Sequence, residues 1–178
     1  MLAIFLTIKK HINNRGISLI ETVLYITLLL LIMGVVIQIL VSMGGVYKNI
    51  KLTRELESSG AIAMESMLRD IRNAKSVVVG SSVLGTSPGV LKLFGIDEFL
   101  NVYDVIYDGT SGSILISKNS ATPTALTSSS VEVSNLIFTY VSNANSEGVR
   151  IELEVSGTIG AVSKNKHFYG FAVLRGSY

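Results

Sequence analysis

Cysteine is absent from all 178 residues. That excludes disulfides, thiol catalysis and thiolate metal sites, so any folded part outside a membrane stands without covalent cross-links. Histidine occurs twice, as His11 and His167, and neither stands in a spacing that suggests a triad or a general-base dyad. No H-E-x-x-H, P-loop, dinucleotide fingerprint or Asn-x-Ser/Thr sequon occurs. Asp97, Glu98, Asp104 and Asp108 are oxygen ligands of the type calcium prefers, but their spacing matches no loop motif, and they read as solvated turn acids. Charge is also sparse: 15 basic and 13 acidic residues, net +2, a balance that gives no support for nucleic-acid binding, which would want a clustered basic face. The expectation is a protein that is not an enzyme and carries no catalytic residues, no metal, no cofactor and no nucleic-acid partner.

What is present is concentrated near the N-terminus. Residues 1–16 hold Lys9, Lys10 and Arg15 and no acid, while residues 22–47 carry no charged side chain. A membrane-spanning helix needs roughly 20 apolar residues, and basic residues before a span hold that end in the cytoplasm. A high mean hydropathy of +0.51 reflects this run. Between leader and run lies Gly16-Ile17-Ser18-Leu19-Ile20-Glu21-Thr22. A secretory signal places its small-residue cleavage site after a short apolar core. Here the small residue precedes a long one, so a cut after Gly16 would remove only the basic leader. An acid within a span is costly and marks a functional position.

This stretch resembles the prepilin peptidase site, of the form G|FTLIE, of the type IV pilin and pseudopilin superfamily. The resemblance implies cleavage after Gly16, N-methylation of Ile17, and a role in assembly for Glu21, fifth in the mature chain, which would pair with the N-terminal amine of a neighbouring subunit. Ile17 stands where the family usually has Phe, Thr22 replaces a common Leu, and Gln38 stands near the mid-helix proline of major pilins; the only prolines are Pro88 and Pro123. The physical logic agrees. A free α-amine is mostly protonated at neutral pH, and cleavage creates it roughly 6 Å along the axis from Glu21. A lone carboxylate in hydrocarbon is unfavourable, and one with an ammonium partner far less so. Removing the leader's three basic residues leaves twelve against thirteen acids, or −1 before the new amine is counted.

Beyond the run, Gly44-Gly45 is expected to loosen the helix locally. Leu56, Gly60, Ala63 or Met64, Met67, Ile71 and Ala74 then recur at three- and four-residue steps as one amphipathic face. Arg54, Glu55, Glu57, Glu65, Arg69, Asp70 and Arg72 are expected largely off it. A helix over 17–74 is roughly 87 Å long, against a hydrocarbon core of about 30 Å, so its second half must pack on something. Strands are expected at 76–79, 90–94, 103–107, 113–117, 131–141, 149–155 and 167–175, from alternation and β-branched content. Asp108-Gly109-Thr110-Ser111-Gly112 is the hairpin signal, and 118–130 reads as a loop.

The expected class is α+β: a long N-terminal α-helix, transmembrane half plus amphipathic half, packed on a C-terminal antiparallel β-sheet domain, pilin-like by resemblance. The expected organisation is a removed leader over 1–16, a helix over 17–75 that spans the membrane to about 47, and an extracytoplasmic β-rich domain over 76–178. Arg69-Asp70-Ile71-Arg72-Asn73-Ala74, Leu126-Thr127 followed by Val131-Glu132-Val133, and Phe171-Ala172-Val173-Leu174-Arg175 also resemble J-type minor pseudopilins. The resemblance implies a minor pilin or pseudopilin of a type II secretion pseudopilus, type IV pilus or competence pilus. Its partners would be prepilin peptidase, other pilin or pseudopilin subunits, an inner-membrane assembly platform and membrane lipid. It would sit single-pass in the cytoplasmic membrane, N-terminus inside, before entering the filament. Retention of Glu21 argues against the most terminal tip subunit, which in the family can lack that acid. The alternative is a monomeric membrane-anchored extracytoplasmic binding module of adhesin or receptor type.

Overall fold

A proline-free stretch forms α1, Leu19–Asn73. The structure, a computed structural model, describes residues 18–96, 100–143 and 146–175. By its contacts the chain divides into two units, residues 1–44 and 45–178. In the first, every described residue is exposed, and α1 is long and apolar enough there to suit a single-pass membrane anchor. Gly44 and Gly45 are both helical, and the boundary between the units falls between them.

In the second unit α1 buries Leu52, Leu56, Ala63, Met64, Met67 and Ile71. This is the face read from the sequence, extended one turn back to Leu52. The helix stops because its successor finds other partners: the Ala74 amide still reaches the Asp70 carbonyl at 3.0 Å, but the Lys75 amide donates to the Phe94 carbonyl at 2.8 Å. Backbone donors captured by a strand cannot continue a helix.

Among the described residues eight strands form two antiparallel sheets. The first is a meander of β1 (Ser76–Val77), β2 (Val90–Ile96), β3 (Val102–Asp108), β4 (Leu115–Lys118) and β5 (Thr124–Ala125). In the second, β6 (Glu132–Ser142), β7 (Glu147–Ile159) and β8 (Val162–Val173) follow one another. Alternation sends Leu91, Leu93, Val105, Tyr107, Leu136, Phe138, Val149, Ile151, Leu153 and Val155 inward to meet the helix face in one core. Each such apolar side chain contributes roughly 1.5–3 kcal/mol by leaving water. The sheets join along β6, where the Gly85 and Gly89 amides donate to the Phe138 and Leu136 carbonyls, both at 2.8 Å.

Missing side chains let α1 approach the second sheet closely. A Cβ on Gly60 would fall on the Phe168 ring, and one on Gly170 would stand 2.5 Å from Met64 Cε. The helix therefore offers a slot to a β8 ring, and β8 offers one to a helix side chain. At the β7–β8 hairpin Gly160 takes φ +64, the left-handed value that a two-residue hairpin loop needs at its first position.

The observed class is α+β, with an apolar N-terminal helix and antiparallel sheets. Several boundaries differ from expectation. Residues 76–79 give only the two-residue β1 and then a 3-10 turn, Val79–Ser81, and the loop at 118–130 contains β5, paired with β4. β7 and β8 begin earlier than the alternation suggested, and β7 also ends later. They pair over twelve positions, and that cross-strand pairing carries them beyond their alternating segments.

Candidate functional site

Gly16 and Ile17, the expected cleavage and methylation positions, lie outside the described residues, as do Lys9, Lys10, His11 and Arg15. The first described residue is Ser18, whose carbonyl accepts from the Glu21 amide at 2.9 Å and the Thr22 amide at 3.1 Å. These bonds set Glu21 in the first turn of α1, where the positive end of the helix dipole favours a carboxylate. One turn on, the Tyr25 hydroxyl donates to Glu21 Oε1 at 3.2 Å. Thr22 and Thr27 return their hydroxyls to the Leu19 and Val23 carbonyls, each at 2.8 Å. In hydrocarbon such polar atoms must be satisfied internally. Sequence reading missed Tyr25, although its four-residue spacing from the acid is the signal for a contact on one helix face.

A second polar cluster lies inside the globular unit. Asp70 was expected on the solvated side of α1, but the structure corrects this: it is 9 % exposed. Its Oδ2 accepts from the Tyr107 hydroxyl at 2.8 Å and pairs with Lys118 Nζ at 3.1 Å, while Arg69 Nε stands 3.9 Å from Oδ1. Ser66 Oγ shares a hydrogen bond of 3.1 Å with the same tyrosine hydroxyl. Burial of Tyr107 is the main reason that its hydroxyl proton is held far above the ordinary phenol range; the Asp70 carboxylate adds to this and the Ser66 bond opposes it. The chemistry is that of a lock: one carboxylate on α1 takes donors from β3 and β4. A buried charge survives only when paired and hydrogen-bonded in this way.

Among the remaining candidates, those that are described stay apart. Asp97 and Glu98 lie outside the described residues. Asp104 pairs with Lys92 at 3.2 Å, and Asp108 Oδ1 accepts from the Thr110 amide at 2.8 Å. Among the described residues no group of three or more His, Asp or Glu gathers for a metal. His167 is half exposed on the outer side of β8, 3.5 Å from Glu154 and stacked at 6.5 Å on Tyr169. Lys166 donates to Glu57 at 2.8 Å, and this bond holds the Glu57 carboxyl below its ordinary range. A cavity of about 630 Å³ opens beside the β7–β8 hairpin, lined by hydroxyls such as Ser111, Ser129, Thr158 and Ser163 and by the Glu132 carboxylate.

No protein-family model, curated protein or solved structure matches this chain.

Proposed function

We propose that the chain is a membrane-anchored assembly subunit of pilin or pseudopilin type, cut after Gly16 and stacked through its N-terminal helix. The observation that carries this reading is Glu21, an acid in the first turn of an exposed apolar helix and the fifth residue after Gly16. In an isolated subunit the helix dipole and the Tyr25 hydroxyl offset only part of the cost of a carboxylate in hydrocarbon. A subunit whose neighbour brings a free α-amine gains an ion pair that fixes how far one helix slides past the next. The antiparallel globular unit would then face neighbours or cargo.

Orientation follows from the cleavage site rather than from charge counting. Lys48, Lys51 and Arg54 after the run equal Lys9, Lys10 and Arg15 before it, so the leader's charges, which read alone hold that end inside, do not decide the orientation once both flanks are counted. The competing reading, a monomeric binding module, draws on the hydroxyl-lined cavity beside the β7–β8 hairpin.

Replacing Glu21 separates the two readings. Glu21→Ala leaves membrane insertion and cleavage intact but lowers the share of the chain in sheared filaments about tenfold or more, because a buried charge left without its partner costs roughly 3–5 kcal/mol. Occupancy equal to wild type removes the pairing role. Absence of both chains from filaments favours the monomeric module.

A further inference from the structure

The chain leaves its apolar run into a concentration of positive charge. Lys48, Lys51 and Arg54 follow Tyr47 directly on α1, and all four are exposed. The fold then adds two cations from far along the sequence. Lys164 Nζ donates to Thr53 Oγ1 at 2.9 Å, and Lys166 reaches Glu57 at 2.8 Å. Lys48 Nζ lies 3.6 Å from where a Cβ on Gly160 would stand, which brings the β7–β8 turn to the same place. Two of these five cations are met by carboxylates: Lys51 by Glu55 at 3.8 Å, and Lys166 by Glu57. Among the described residues Lys48 and Arg54 have no ion-pair partner, and Lys164 spends its hydrogen bond on a neutral hydroxyl.

Gathering like charges raises the local potential unless an external anion answers it. We infer that this basic collar docks on the anionic headgroups of the bilayer that the apolar run enters. Position favours lipid over a free anion. Lys48 to Arg54 covers roughly 9 Å of helix, comparable to the roughly 5–8 Å headgroup layer beyond the hydrocarbon core. Tyr47 is of the type that settles at that boundary. The cations are spread along a helix and a strand instead of converging on one point, which suits a surface of phosphates. The inference rests on residues 22–47 being a membrane span and is independent of filament assembly.

The test uses the full chain in nanodiscs of phosphatidylcholine alone or mixed with phosphatidylglycerol. Lysine acylation is read residue by residue by mass spectrometry, with Lys75 and Lys118 as internal references. Lys48, Lys51 and Lys164 should label at least about threefold more slowly in anionic discs. That protection should vanish in roughly 1 M salt, where screening acts within ~3 Å. In the double variant Lys48→Gln/Arg54→Gln, protection of Lys51 and Lys164 should fall by at least half. Equal labelling in both lipids overturns the inference. So does unchanged protection in the double variant, which would mean a general surface-pH effect. Protection in neutral discs produced by inorganic phosphate means a free-anion site, and protection that grows with protein density means a protein partner; either overturns the lipid assignment. A chain that fails to enter discs removes the span and the collar together.

Discussion

Tyr107 and Asp70 show how a polar pair can hold an apolar core together. The hydroxyl of one is the shortest donor to the carboxylate of the other, and both are buried. Tyr107→Phe keeps the ring and removes that donor, so it should destabilise the fold at neutral pH by roughly 1–3 kcal/mol. The two proteins should also differ in alkali. The native tyrosine keeps its proton above the ordinary phenol range, whereas the unfolded one ionises near pH 10. Native stability tied to this group is therefore complete below about pH 10 and is lost as pH rises beyond it. Denaturant unfolding of the detergent-solubilised full chain, from about pH 8 to about pH 11, should show the gap between wild type and Tyr107→Phe narrowing. Parallel curves would contradict the assignment. Neither the pair nor the burial of Asp70 was legible in the sequence: Tyr107 is 37 positions away, and a helical acid among Arg69 and Arg72 looks solvated until a strand covers it.

Elements meet here through glycine. Gly60 and Gly45 are both helical and share the same intrinsic penalty of about 1 kcal/mol against alanine, yet their surroundings are opposite. A Cβ at Gly60 falls on the Phe168 ring, and one at Gly45 meets nothing within 4 Å. Gly60→Ala should therefore lower stability by roughly 1–3 kcal/mol through overpacking, and Gly45→Ala should leave it equal or raise it by up to about 1 kcal/mol. Thermal unfolding followed by tyrosine near-ultraviolet dichroism would read both. A Gly60→Ala protein as stable as Gly45→Ala would mean that α1 and β8 do not approach as described. The helix was legible almost to the residue, since its apolar steps from Leu56 to Ala74 are a local pattern. β1 and β5 were not, because a two-residue strand is made by its partner: β5 exists through pairs such as Ile116 with Thr124, and nothing in residues 118–130 announces them.

The chain combines two parts of different character: an apolar helical segment whose described residues are all exposed, which suits a membrane anchor, and a cross-link-free globular unit with a continuous apolar core. Hydropathy made the apolar helical run legible in the sequence. The division into two sheets was less legible, because hydrogen bonds such as Gly89 to Leu136 join residues far apart in sequence. Under the proposed pilin-type function, the first turn of the helix carries the assembly role. Glu21 is costly in a lone anchor and useful in a stack of helices, provided that Ile17 carries a free amine. Intact-mass and N-terminal peptide analysis of the chain recovered from its native membrane tests that condition directly. The account expects a mature protein that begins at N-methylated Ile17, with the basic leader gone. A chain that keeps Met1, or one cut beyond Val41, would contradict it.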